Sequence, residues 1–339
     1  MKNLNYICVI GYGRSGSSAC IDLLKEFEGL HILDGEFRIA KDPHGLLDLE
    51  SALVDNWDFM RSDIAIRDFI SYCHMLSRGS GLFKRFGKDF ENKININFMN
   101  FVEEYVHSLT DFLYFGDSAV HRYSSSSLQA FVSRIRSKLN KSNAISTYFS
   151  KPSEDFFINK TQFFLDNLFV NFLDKGDTIV LDQSISPVNI KNTKKYFRSS
   201  KVIVVDRDPR DIYIDLVEKG MLIGADLNIQ RSADKFIEWY GLMRNNLKNE
   251  VGDKELSKCV LRLNFEDLVC DYEKSVKKIN IFFKSNMIYK SKYKFFNPKS
   301  YKTKANVGLW KMYKNQDIIN KISDKLPQYC ININTDLKK

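Results

Sequence analysis

Tyr6-Ile7-Cys8-Val9-Ile10-Gly11-Tyr12-Gly13-Arg14-Ser15-Gly16-Ser17-Ser18 decides how this chain is read. Tyr6–Ile10 is a β-rich apolar run, strand-sized and bounded by glycine. Gly11–Gly16 is a glycine-bearing turn. Ser17–Phe27 follows with apolar residues at Ala19, Leu23, Leu24 and Phe27, a helical spacing. The order strand, glycine loop, helix nearly matches the phosphate loop G-x-x-x-x-G-K-[ST]: Gly11 and Gly16 are correctly spaced and Ser18 takes the Ser/Thr position. Ser17 stands where the lysine belongs. The loop amides and the helix N-terminus would still point at an anion, and Arg14 supplies a cation three positions earlier. The missing lysine speaks against an ordinary ATPase or kinase, in which that lysine bridges the terminal phosphates.

Outward from this loop, strand and helix signals alternate. A short strand is expected at His31–Leu33. Further on, Thr178–Leu181, Lys201–Val205 and Cys259–Leu263 read as buried strands, with helices at Pro187–Phe197, after Asp211, and through Phe283. Such alternation predicts an α/β fold, a central parallel sheet with helices on both faces. Ligands in such sheets bind at the carboxyl ends of the strands, and both Gly11–Ser18 and Arg207–Asp211 begin just past such ends. Residues 46–175 look different. Aromatics recur there at helical spacing (Phe98, Phe101, Val102, Tyr105, Leu109), alongside the polar stretch Asn140–Ser153. We expect one domain, with a core of residues 1–45 and 176–339 and a helical insertion or lid over about 46–175.

Composition agrees with a packed globular protein. Of 339 residues, 44% are hydrophobic and 13% aromatic, enough for a real core; only 16 Gly and 6 Pro occur, which excludes collagen-like and low-complexity classes. No apolar run approaches the ~20 residues of a membrane span, and Met1–Ile10 lacks a secretory pattern, so the expectation is a soluble cytoplasmic protein that could still touch a membrane surface. The six cysteines, Cys8, Cys20, Cys73, Cys259, Cys270 and Cys330, show no C-x-x-C spacing and lie near no His pair; reduced thiols and no protein-held metal are expected. Cys8 and Cys259 fall in expected strands. The net charge is +9, and Lys274–Gln316 holds twelve lysines and no acid. That stretch reads either as a solvated surface or as a basic wall facing a nucleotide or an acidic polysaccharide. No nucleic-acid module is recognisable.

Four segments together resemble the sulfotransferase family, especially its carbohydrate and bacterial branches. Arg14-Ser15-Gly16-Ser17-Ser18 looks like its 5′-phosphosulfate loop. Val202–Val205 followed by Arg207-Asp208-Pro209-Arg210-Asp211 looks like its 3′-phosphate strand and turn. Phe265-Glu266-Asp267-Leu268 is similar to its Tyr-Glu-Asp-Leu segment, and Asn306-Val307-Gly308-Leu309-Trp310-Lys311 to its late Gly-x-Trp-Lys motif. The matches occur in the family's order from residue 6 to about 315. The resemblance implies the P-loop-like sulfotransferase fold and transfer of sulfuryl from 3′-phosphoadenosine 5′-phosphosulfate (PAPS) to a hydroxyl of a carbohydrate or cell-envelope polysaccharide. Arg14, Ser15, Gly16, Ser17 and Ser18 would hold the 5′-phosphosulfate, with Arg14 also stabilising charge on the bridging oxygen. Arg207 would hold the 3′-phosphate, approached also by Lys304.

Three positions depart from the pattern. Asp215 stands where the family has serine, and Thr303 and Ala305 stand where it has arginine and glycine. A carboxylate beside a phosphate is repulsive unless a cation intervenes. A donor with a free ribose hydroxyl, bonded by Asp215, is therefore a rival, as are transfer of a phosphoryl-type group from another nucleotide-linked donor and a non-catalytic nucleotide-binding protein. For the base that takes the acceptor's proton, Glu36 is the candidate, just past the second strand; a structural ion pair to Arg38 is the plainer account of it. His121 and His44 are the alternatives. Asp182 also ends a strand, where the family often shows Asp-Lys and this chain has Asp182-Gln183.

Overall fold

The computed structural model describes residues 4–79, 87–116, 127–139, 143–173, 178–221, 229–245, 252–284, 287–300 and 305–332. Seven strands lie within them: β1 (Asn5–Gly11), β2 (Leu30–Glu36), β3 (Phe112–Gly116), β4 (Ile145–Phe149), β5 (Thr178–Asp182), β6 (Ser200–Asp206) and β7 (Val260–Asn264). Five form one sheet in the order β2-β5-β1-β6-β7, and every pairing in it is parallel. The chain leaves β1 toward β2 on one side and later crosses to β6 on the other. The carboxyl end of β1 is thus the topological switch point, where a crevice opens in such sheets.

Alternation along β1 shows how the sheet is buried. Tyr6, Cys8 and Ile10 face one apolar cluster; Ile7 and Val9 face another. The second face is covered by the helices Ser17–Leu24, Phe265–Cys270 and Tyr272–Phe283. The first is covered by Phe59–Ser77, Phe98–Leu109 and Glu154–Phe169, all from the middle of the chain. The expected aromatic stripe is seated there: Phe98, Val102, Tyr105 and Leu109 are buried, and Tyr105 stacks on Phe164 with ring centroids 4.6 Å apart. The Tyr6 hydroxyl donates to Asp166 at 2.8 Å, tying β1 to this layer. A third cluster joins helices Pro209–Glu218, Ile229–Met243 and Gln316–Lys325.

Local expectations needed three corrections. The middle of the chain is not wholly helical: β3 and β4 pair antiparallel within it, and β4 lies in the polar stretch 140–153. Pro187–Phe197 forms one helical turn, Ile190–Lys194, because the Thr193 hydroxyl accepts from Ser186 N and donates to Asn189 O, holding the preceding segment in a turn. Cys259 ends the helix Lys254–Cys259 rather than starting a strand; Asp253 caps that helix through Glu255 N and Leu256 N, and β7 follows without a loop.

Since residues 59–169 supply the cover of one sheet face, Phe164→Ala should destabilise the whole domain by ~3–5 kcal/mol. Calorimetry should then show one transition at lower temperature. A separate early transition, with the sheet melting unchanged, would show that this layer folds by itself.

Candidate functional site

The turn after β1 is built by backbone that side chains rarely allow. Gly13, Arg14 and Gly16 have φ of 81°, 53° and 91°. Left-handed residues in so tight a turn curl its amides inward, an anion-binding concavity. Gly16 caps the Ser17–Leu24 helix, and a Cβ there would lie 2.4 Å from Phe265 Cδ2, so only glycine lets β7's following residue close on the loop. Gly11 is packed tightly as well: a Cβ there would meet Ser15 Oγ at 2.0 Å and Val205 O at 3.2 Å, so a side chain would force the Ser15 hydroxyl to turn. That hydroxyl is buried inside the turn with no hydrogen-bond partner among the described residues.

A cleft of 650 Å³ opens above this turn. Every strand of the sheet contributes to it from its carboxyl end: Gly11 of β1, Glu36 of β2, Gln183 after β5, Arg207 after β6 and Phe265 after β7. Among the described residues, Arg14, Arg38, Lys41, Arg207 and Lys219 line it against two carboxylates, Glu36 and Asp215. That excess of cations over bare loop amides fits an anionic ligand such as a nucleotide phosphate.

On one side, Arg207 spans the site. It donates to the carbonyl of Arg14 at 3.0 Å and of Asn306 at 2.7 Å, and lies over the Phe265 ring. Asp215 is buried between three cations: Lys219 at 2.6 Å, Arg14 Nε at 3.4 Å and Arg207 at 3.8 Å. Asp215, which stands where the resemblance implies serine, thus faces Arg14 and Arg207, neutralised in part by a lysine one turn along its own helix. Arg14 also approaches Met221 Sδ at 2.9 Å.

On the other side, Glu36 reaches the cleft through an irregularity. The β2–β5 register shifts between Ile32 and Glu36, with Gly35 at φ 84°, and Glu36 ends half-exposed, 3.5 Å from Lys88 and 4.0 Å from Arg38. Opposite it in register is Asp182. Burial, followed by the charge of Glu36, pushes the Asp182 carboxyl up to about 6. Gln183 bridges the halves: its Nε2 donates to Ser17 Oγ at 3.0 Å and its Oε1 accepts from Lys41 Nζ at 2.9 Å. Burial and neighbouring Arg38 bring Lys41 down to about 8. A lysine does approach the 182–183 corner, but from residue 41.

Of the remaining motif residues described, Asn306 lines the cleft, whereas Asp208, Arg210, Asp211, Glu266, Gly308 and Trp310 do not. Asp208 accepts from Arg210 in a two-pronged pair, at 2.9 and 2.6 Å, and Arg210 lies 3.7 Å above the Trp310 ring. Asp211 accepts from Gly308 N at 2.7 Å and Trp310 N at 3.1 Å, while Glu266 accepts from Asp208 N at 2.9 Å. Three motifs far apart in sequence are thus one buried hydrogen-bonded corner. Burial, with Asp208 and Asp211 nearby, pushes Glu266 up to about 7.

Of the candidate residues, the cleft gathers Arg14, Gly16, Ser17, Ser18, Glu36, Arg207 and Asp215. Ser15 lies beneath the loop. His44 does not join them: it lines a separate hollow of 440 Å³ and sits 3.5 Å from Asp68. Lys304 and His121 lie outside the described residues. None of the described lysines of 274–316 lines the cleft; several instead pair locally, as Lys278 with Asp267 and Lys292 with Glu273, so the basic wall is a solvated surface among the described residues. Lys41 and Lys219 were missed. A lone lysine in a loop carries no signal, although Lys219 could have been found from its i+4 spacing to Asp215. Among the described residues no group of three or more His, Cys, Asp or Glu is placed to hold a metal ion.

No protein-family model matches this sequence, and no curated protein matches it. Solved structures do. The sulfotransferase domain of the Synechococcus PCC 7002 olefin synthase is 16% identical, over 100% of this chain and 92% of that one, with a TM-score of 0.40. The sulfotransferase domain of the curacin biosynthetic pathway is 13% identical over 96% and 99%, with a TM-score of 0.46. A retinol dehydratase in complex with androsterone and the inactive cofactor PAP is 13% identical over 98% and 82%, with a TM-score of 0.40. All three superpose loosely.

The Glu266 carboxyl binds its proton more tightly folded than unfolded, so the native state holds the extra proton between its ordinary range and about 7. Stability at this group is therefore greatest below that window and falls as pH rises through it. Glu266→Gln keeps an acceptor for Asp208 N and should flatten the fall: its melting temperature should exceed wild type's at pH 8 and match it near pH 4. A variant less stable at pH 8 would mean that the charged carboxylate stabilises the corner.

Proposed function

We propose that this chain is an enzyme, a sulfotransferase that moves a sulfuryl group from PAPS to a hydroxyl of a carbohydrate or cell-envelope polysaccharide. The observation that carries this reading is the shared cleft: the amide-lined turn with Arg14 faces Glu36 across the carboxyl edge of the sheet. A phosphate loop whose cation is an arginine, with a carboxylate opposite, suits transfer between an anionic donor and a neutral hydroxyl. The family motifs in the same order support it.

In this reading the loop amides, Gly16, Ser17 and Ser18 hold the 5′-phosphosulfate, and the Ser15 amide joins them while its hydroxyl stays beneath the turn. The acceptor oxygen bonds to sulfur as the bond from sulfur to the 5′-phosphate oxygen breaks. The acceptor's proton passes to Glu36, and Arg14 stabilises the charge left on the departing oxygen. Positioning supplies most of the remainder. Arg14→Ala should lower turnover ~100-fold or more while keeping the melting temperature. Glu36→Gln should bind donor normally and lose turnover on the order of 100-fold. Full activity of Glu36→Gln would move the base elsewhere, with Asp182 the neighbouring carboxyl.

Asp215 separates the donor classes. A 3′-phosphate would draw Arg207 and Arg14 away from Asp215, leaving it to Lys219; Lys304 is the other cation we assign to that phosphate. Asp215→Ser should then tighten binding of 3′,5′-adenosine bisphosphate. If the donor instead has a free ribose hydroxyl that Asp215 accepts, the same change should weaken binding by ~1–3 kcal/mol. Calorimetry with 3′,5′-adenosine bisphosphate and with ADP, CDP and GDP measures both. Tighter wild-type binding of a nucleotide lacking the 3′-phosphate would replace PAPS by another nucleotide-linked donor and sulfuryl by a phosphoryl-type group. The Asp215 contacts to both arginines are the specific observation in favour of that second reading.

A further inference from the structure

The β3–β4 hairpin carries in its connection a helix, Ser127–Lys138, and this unit leaves much apolar surface uncovered. Phe112, Leu113, Tyr114 and Phe115, four successive residues of β3, are all more than half exposed, so both faces of that strand are open. Leu128, Phe131, Val132, Ile135 and Leu139 follow the spacing i, i+3, i+4, i+7, i+11 and are between 42% and 72% exposed. That stripe is what a helix of a soluble protein turns inward. An isolated 12-residue helix is marginal in water, so the stripe needs a cover.

The charge around it is of one sign. Arg134, Arg136 and Lys138 stand exposed on the same helix, and the sequence holds no Asp or Glu between Asp117 and Glu154. The described acids that bracket the unit lie at its root. There Asp111 accepts from Lys151 N at 3.0 Å, and Asp63 accepts from Tyr148 N at 2.8 Å. Phe112 stacks on Phe149, and Trp57 Nε1 donates to Ser150 O at 2.8 Å. The Asn143 amide donates to Ser133 O and Ser137 Oγ, fixing the helix to the approach of β4. The root is therefore anchored on the body, while the apolar and basic groups project from it.

We propose that this unit is a docking surface for a lipid bilayer bearing anionic headgroups. An amphipathic helix with Phe and Leu on one side and only Arg and Lys as charges matches the boundary between headgroups and acyl chains. The bilayer accepts the apolar stripe and neutralises the basic rim together. A second copy of this chain would cover the stripe, but a two-fold contact would set the basic rim against its own image. No helix among the described residues is long and apolar enough to cross a membrane, so the contact is with the surface.

The test uses the full chain and sedimentation with vesicles of phosphatidylcholine alone and of phosphatidylcholine mixed with phosphatidylglycerol. We expect partition onto the mixed vesicles, little onto the neutral ones, and release as salt rises. Each basic residue near such a surface is worth about fivefold, so Arg134→Gln with Arg136→Gln should weaken partition about 25-fold. Phe131→Ser should weaken it by about tenfold or more. Both variants should keep the wild-type melting temperature, since these side chains touch little of the body. Absent or equal partition onto the two vesicle types would overturn the proposal. So would a stable dimer in ultracentrifugation that Phe131→Ser dissociates, which would give this face to a second copy.

Discussion

One guanidinium holds the cleft together. Arg207 leaves the end of β6, crosses the mouth of the sheet and donates to the carbonyls of Arg14 and Asn306. The first bond holds the turn at Arg14, a residue whose φ of 53° is costly for any side chain. The second brings in the late segment, 99 residues further along the chain. With both bonds made, Phe265 closes beneath Gly16, and Asp215 finds its position between Arg14, Arg207 and Lys219. A residue that reads as a ligand contact in sequence is also a strut, and its flat fork of donors suits it to both tasks.

The corner behind that strut explains why motif residues need not touch a ligand. Asp208, Asp211 and Glu266 are nearly inaccessible carboxylates, which would be prohibitive unless each were bonded. They are bonded to Arg210, to the amides of Gly308 and Trp310, and to Asp208 N respectively. The Asp211 and Glu266 bonds, with a further one from Ile331 N to Asp208 at 2.9 Å, join segments far apart in the chain. The late Gly-Leu-Trp segment is thereby fixed without belonging to a regular strand, and Asn306 just before it reaches the cleft. Charge collected at one buried corner is tolerated because it holds the chain's later parts against the sheet edge.

The two halves of the cleft differ in polarity for a physical reason. The half over the loop is cationic, and its one carboxylate, Asp215, lies within 4 Å of three cations. The half over β2 and β5 sets Asp182 beside Glu36 on neighbouring strands, where burial, followed by the charge of Glu36, raises the Asp182 carboxyl. Lys41 and Arg38 offset part of that rise. An anion is drawn to the first half, while Asp182 in the second can hold a proton near neutrality.

Much of this protein was legible in its sequence because the deciding signals are local. A buried strand, a turn needing glycine at positive φ and a helix start follow from Tyr6–Ser18 alone, and the repeated pattern after residue 178 makes the sheet parallel. The glycine turn, Arg207 and Glu36 come to one cleft because each closely follows or ends a strand, and parallel strands place those ends together, while Asp215 reaches it from the helix after β6. What lay beyond local reading depended on contacts across the fold. Lys41 meets Gln183 across 142 positions, and Asp215 meets Arg14 across the sheet. The middle segment is helical by its spacing, yet its burial of one sheet face, and the hairpin inside it, were settled by packing rather than propensity. The strand order, the roles of Asp208, Asp211 and Glu266 as joints, and the exposure of the 127–139 stripe belong to the tertiary structure. A sequence records which side chains are apolar or charged; only the folded chain determines which of them find a partner.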